Sequence, residues 1–406
     1  MTSSGKSYTV TQKGQIDKQH TMIHDLFEKK EKKVEYIELI YDLIFVYVIG
    51  RNNALLHIIR DGFVDRTAFL AYIACTVAVI QIWTFSAYYI NVFGRKGVQE
   101  YVFLCINMFL LYFIAEGTRA GWERFQTQYH VAWALILVNI GVQYLIELIR
   151  HKEKDALRKR IIRLMCIIFA EAAIVAAGCF PLPTMVKSYL AYAAILFGIV
   201  AILISGKHHE SEFVDFPHLS ERAMLYVVFT FGEMIIAIAT YFDGENTLRN
   251  LYFALMAFLI VVGLFLSYGV LYDHIVDREK KTNGVAYMVM HIFIIFALNN
   301  ITAALEFMRE EEVDLLPKML FLTISFVLYF FFLLAISIYA KPCCRARRNM
   351  YLPGIAIGIA FAVCMLLLRT QMMLNIAITV LFVFGLFLVI YRYGKKVDAY
   401  EKEIQS

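Results

Sequence analysis

Apolar runs of about 20 residues, broken by short charged segments, constrain this chain more than any other feature. A run of that length crosses a hydrocarbon layer about 30 Å thick as a helix. In lipid, only helices and closed barrels satisfy their own backbone groups. Twelve such runs can be read, at 36–59, 68–93, 101–118, 130–149, 161–180, 186–205, 219–242, 249–272, 284–307, 317–340, 351–368 and 372–391. Composition agrees: 60% of the residues are apolar and 18% charged, where soluble domains use roughly half and a quarter. The expected fold class is all-α, a polytopic transmembrane helical bundle of about 12 spans.

Threading the twelve spans alternately puts 28 Lys and Arg on one side, which includes both ends of the chain, and 9 on the other. The cationic side of a bilayer protein faces the cytoplasm, so both termini are expected there, in a plasma membrane. The segment from Arg150 to Arg163 is dense in cations, while Glu310, Glu311, Glu312 and Asp314 on the opposite side are acidic. The division that follows is a cytoplasmic N-terminal segment (1–35), a first six-span half (36–205), a cytoplasmic loop (206–218), a second six-span half (219–391) and a cytoplasmic tail (392–406). Spans one and seven would run in the same direction, as in a parallel repeat.

Residues 1–33 are polar and lack the apolar core of a cleavable signal peptide. The net charge of +5 is explained by orientation and anionic lipid headgroups, without a nucleic-acid partner. Cys75, Cys105, Cys166, Cys179 and Cys364 lie inside apolar runs and read as small hydrophobes. Cys343 and Cys344, beside Arg345, Arg347 and Arg348 at a membrane edge, read as plain loop cysteines, with palmitoylation the alternative.

The first span carries groups that hydrocarbon does not tolerate cheaply: Glu38, Asp42, Arg51, Asn52 and Asn53. At 100° per residue Glu38, Asp42, Asn53 and His57 share one face, and Arg51 points nearly opposite. Span seven carries Arg222 and Glu233, and span nine His291, Asn299 and Asn300. By depth, Arg222 falls near Glu38, Arg51 near Glu233, and His291 near Asp42, while Asn299 and Asn300 lie near Arg51. Spans one, seven and nine are therefore expected to converge on one polar core. Gln81, Asn139, Gln143 and Glu171 are weaker candidates. Paired charges can also serve only to clamp helices, since a buried charge needs a partner merely to be tolerated.

No GxSxG, HExxH or Walker A pattern occurs. The loop from Lys207 to His218 has metal-capable side chains without a zinc spacing and reads as solvated. No cofactor or metal is called for, and no enzyme activity is assigned. The run Glu38-Leu39-Ile40-Tyr41-Asp42-Leu43-Ile44-Phe45-Val46, with Glu221-Arg222 and Gly232-Glu233 far downstream, resembles the signature of the bacterial low-temperature-requirement A (LtrA) family. Tyr41 stands where that family usually has phenylalanine. The resemblance runs over about 34–391 and implies a multi-pass bacterial membrane protein tied to growth in the cold, a stress response. It implies no substrate.

The function expected is transport, ion-coupled or proton-handling, with Glu38, Asp42, Arg51, Arg222, Glu233 and His291 lining the polar core. Asp42 is the expected protonatable site, and Arg51 with Glu233 an expected gate. The expected partners are the lipid bilayer and a proton, small ion or solute; oligomeric state is not legible. A membrane-embedded enzyme or lipid-handling factor, or a structural stress protein without transport, are the alternatives.

Overall fold

A computed structural model describes residues 32–118, 122–206, 212–242, 248–308, 310, 312–342 and 348–405. The N-terminal lysines Lys29 and Lys30, residues 207–211 of the loop from Lys207 to His218, and the Cys343-Cys344 edge lie outside the described residues. Twelve α-helices follow one another among them. They are α1 (Tyr36–Asn52), α2 (Arg66–Phe93), α3 (Val98–Thr118), α4 (Trp122–Arg150), α5 (Ala156–Ala177), α6 (Thr184–Ser205), α7 (Phe216–Ala239), α8 (Leu248–Val270), α9 (Val285–Phe307), α10 (Leu315–Ala335), α11 (Arg348–Leu367) and α12 (Met372–Gln405). Each answers one expected span. Eleven are long and apolar enough to cross a membrane. The helix that falls short in composition is α5, which carries Arg158, Lys159, Arg160, Arg163 and Glu171. The protein is a multi-pass membrane protein built as an all-α bundle.

Local chemistry sets where helices begin. The Asp65 carboxylate accepts from the backbone N–H groups of Thr67 and Ala68 and caps α2. Asp155 caps α5 through Arg158, and Asp215 caps α7 through His218, with Pro217 in the first turn. A cap at Asp215 starts α7 three residues before the expected span. At the far end α12 continues to Gln405, so the expected tail is helical, with Tyr393 and Val397 buried and Asp398 paired to His274 at 2.8 Å. α1 ends earlier than its apolar run. After Asn52 the chain makes a 3₁₀ turn over Asn53–His57, then a two-stranded hairpin, Ile59–Arg60 against Phe63–Val64. Asp61 and Gly62 both have positive φ, 52° and 77°, as a two-residue hairpin turn requires.

Within the first half, neighbours close a ring in the order α1, α3, α4, α5, α6, α2 and back to α1. The second half closes a ring in the corresponding order α7, α9, α10, α11, α12, α8 and back to α7. The halves meet through α1 against α7 and through α2 against α7 and α9. α2 is the most enclosed helix, with 83% of its apolar window buried. Helix ends show the alternation directly: the end of α2 meets the start of α7 through Asn91 and Asp215, and the end of α1 meets the end of α9 through His57 and Glu306. The side on which α1 starts is called the near side below.

Candidate functional site

Glu38 and Asp42 stand one turn apart on α1, and His218 and Arg222 stand one turn apart on α7. The 3.6-residue period places each pair on one face, and α1 and α7 pack with these faces together. The Arg222 guanidinium pairs with the Asp42 carboxylate through Nη2, and its Nε lies 3.4 Å from Asp42 Oδ2 and 3.3 Å from Glu38 Oε2. His218 Nε2 lies 3.4 Å from the same Glu38 oxygen. On the remaining side Trp83 of α2 donates its indole N–H to Asp42 Oδ1 at 2.8 Å. Tyr226, a turn beyond Arg222, packs its ring 4.5 Å from that of Trp83. Asn91 fixes the end of the row: its amide donates to the Asp215 carbonyl at 2.7 Å, accepts from the Asp215 N–H at 3.0 Å, and lies 3.1 Å from His218 Nδ1. Glu38, Asp42, His218 and Arg222 are each at most 1% exposed.

Two carboxyls, an imidazole and a guanidinium thus share one sealed volume between the halves. Such a group is a poor stabiliser, because desolvating the ions consumes most of what their attraction returns. The guanidinium holds a fixed charge, while Glu38, Asp42 and His218 can each gain or lose a proton beside it.

A second polar group lies toward the other side, and it is made of amides and hydroxyls. Asn299 of α9 donates to Asn53 Oδ1 and to the Tyr72 hydroxyl, both at 2.8 Å. Tyr72 donates to Asn300 Oδ1 at 2.5 Å, and Asn52 reaches Thr76 at 3.5 Å. Beyond them His57 lies 2.7 Å from Glu310 and 3.3 Å from Glu306. Buried Phe45, Val48 and Ile49 occupy α1 between the two groups.

Depth matches Arg222 to Glu38, and the guanidinium reaches both Glu38 and Asp42, whereas Asn52, Asn53, Asn299 and Asn300 form a network of their own, so the single polar core expected is two groups. Three residues depart from expectation. Arg51 does not pair with Glu233; its long side chain reaches Glu116 of α3 at 3.7 Å and lies 5.9 Å over the Tyr47 ring, in partly exposed positions. The Glu233 carboxylate packs instead on the α-carbon of Gly50, where a Cβ would be only 2.5 Å from Oε1. His291 is held away from Asp42 by tyrosines: Nε2 is 3.0 Å from the Tyr268 hydroxyl and Nδ1 2.8 Å from the Tyr287 carbonyl. Of the weaker candidates, Asn139 donates to Asn107 at 2.7 Å, Asn107 reaches Tyr41 at 3.2 Å, and Tyr41 lies 2.8 Å from Ser86. Gln143 bonds back to the Asn139 carbonyl at 3.5 Å.

The sequence does not point to His218, Trp83, Asn91 or Tyr72. His218 reads as the end of a solvated loop, yet Asp215-Phe216-Pro217 is a helix-start signal that would have placed it on α7, four residues from Arg222. For metals, the ligand atoms of His151, Glu153 and Asp155 lie within 4.8 Å of one another on the exposed segment before α5. The Arg158 backbone N–H and then His151 hold the Asp155 carboxyl below its ordinary range, so its charge already has partners.

No curated protein and no solved structure matches the chain. The family described as bacterial low temperature requirement A protein (LtrA) matches over residues 33–384. That match takes in α1 to α11 and the first part of α12, including every residue of the charged cluster. The chain belongs to the bacterial low temperature requirement A (LtrA) family.

Proposed function

We propose that this protein is a proton-coupled transporter of the plasma membrane, with both termini cytoplasmic and the Asp42–Arg222–Glu38–His218 cluster as its proton-exchanging site. One observation carries the reading: the cluster is shared between the first helix of each half, α1 and α7. In transporters built from repeats, the binding site lies at the repeat interface and alternating access moves one repeat against the other. The common neighbour order of the two rings supports reading the halves as a parallel repeat. The cation asymmetry of the loops supports the orientation.

In this cycle Asp42 is the principal proton acceptor. Protonation of Asp42 weakens its hold on Arg222, and the guanidinium turns to Glu38, which is already within 3.3 Å. His218, 3.4 Å from Glu38, relays the proton toward the near side. Trp83 keeps the carboxyl aimed at Arg222 in the charged state. A protein of this kind would support growth in the cold by sustaining a solute or ion flux that slows as the bilayer stiffens.

The experiment is proton movement in proteoliposomes under an imposed pH gradient, followed with an internal pH dye. Native protein is expected to dissipate the gradient faster than empty vesicles, and Asp42→Asn to match the empty vesicles. Native protein that moves no protons with any common ion or solute present removes the proposal.

A further inference from the structure

A buried carboxyl outside the cluster remains. Glu171 lies on α5 and is 0% exposed, and it faces Gln81 of α2, which is 2% exposed. Gln81 is two residues from Trp83 and so projects from the opposite side of α2, away from the cluster. The Gln81 amide donates to Glu171 Oε2 at 3.2 Å and to the Ile195 carbonyl of α6 at 3.4 Å. These two acceptors fix which end of the amide faces the carboxyl. Glu171 Oε1 takes no hydrogen bond from any described residue, and Glu171 forms no ion pair among them.

The charged and titratable groups on the packed elements lie farther along α5 or have other partners. Arg160 and Arg163 are two to three turns back along α5, roughly 12–16 Å by helical rise. Lys187 of α6 is engaged with Thr127, Glu147 of α4 with Arg95 and Arg150, and His130 of α4 with the Gln126 carbonyl. Tyr129 of α4 bonds to the Cys75 carbonyl of α2, and Tyr192 of α6 to the Leu70 carbonyl. Gly198 of α6 closes the site: a Cβ there would overlap both Gln81 Nε2 and Glu171 Oε2.

We propose that Glu171 is a second proton-binding site of this protein, loaded and emptied within the first half. The ligand is a proton rather than a metal cation. A cation site would turn the amide oxygen toward the carboxylate, whereas Gln81 presents N–H. Loading is a simple acid–base step: the carboxylate and a hydronium ion give the carboxylic acid and water, the new O–H forming on Oε1 while Oε2 keeps the Gln81 hydrogen bond. The site does not depend on the cluster carrying a proton.

The test is infrared difference spectroscopy of the full chain in lipid, titrated in H₂O and D₂O in an Asp42→Asn background. The expected result is a carbonyl stretch of a protonated carboxyl that shifts in D₂O, disappears in Glu171→Gln and moves in frequency in Gln81→Leu. Gln81→Leu leaves the carboxyl in place and decides the matter if Glu171→Gln does not fold. A carboxyl band that neither substitution alters overturns the proposal. So does a thermal stability that rises with sodium in the native protein and not in Glu171→Gln. Flux lost in Asp42→Asn with the Glu171 band intact, or the reverse, separates this site from the proposed cluster.

Discussion

The near-side cluster and the far-side network use the same scaffold for different ends. Both join α1 and α2 to a helix of the second half, α7 in one case and α9 in the other. In the cluster the contacts are charged, and each group is tolerable only while its partner stays. In the network Asn53, Tyr72, Asn299 and Asn300 exchange neutral hydrogen bonds that hold the halves in register and carry no charge. Titratable and charged groups are concentrated in one region and neutral hydrogen bonds in the other.

Breaking that contrast should produce effects of graded size. The largest is expected for Arg222→Leu, which leaves Asp42 and Glu38 buried without their guanidinium. Removing one member of a buried pair destabilises by about 3–5 kcal/mol, and the thermal midpoint in detergent should fall accordingly. Adding Asp42→Leu should restore part of the loss, since it removes a stranded carboxylate; no recovery would mean that Arg222 acts through packing. Next comes Asn299→Ala, which strips a donor from Asn53 and Tyr72 and should lower stability by about 1–3 kcal/mol. Arg51→Ala should change stability by less than about 1 kcal/mol, because its pair with Glu116 is long and partly exposed. A large loss there would place Arg51 in the core after all.

The smallest effect concerns Asp155. Its folded-state carboxyl is held below the ordinary range, so its contribution is present above the unfolded value of about 3.9 and fades as pH falls through the folded one. Asp155→Asn should lower the near-neutral midpoint slightly and flatten its decline toward acid, so that the two proteins converge at low pH. A decline that keeps the native shape would show that the cap contributes nothing through charge.

Much of this architecture is legible before any coordinates, and the limits are physical. Run length fixes the number of helices, and the spacing of Glu38 and Asp42 fixes their common face. Spacing does not say how far a helix is rotated against its neighbours, nor where a long side chain ends. Arg51 therefore reaches Glu116 on α3 although depth alone matches it to Glu233. Depth likewise matches His291 to Asp42, but the tyrosines around His291 come from sequence positions that pattern cannot rank. Other features were in reach: Asp61-Gly62 signals the hairpin after α1, and the Asp215 cap brings His218 onto α7. Trp83 carries no signal beyond the need of a buried indole N–H for an acceptor.

The most direct measurement sets the two regions against each other in one assay. Proton flux under a pH gradient is compared in proteoliposomes holding equal amounts of folded native protein, Asp42→Asn and Asn299→Ala. Flux abolished in Asp42→Asn and kept in Asn299→Ala is the predicted result. Equal flux in all three, or loss in Asn299→Ala alone, would contradict the assignment of proton exchange to the charged cluster.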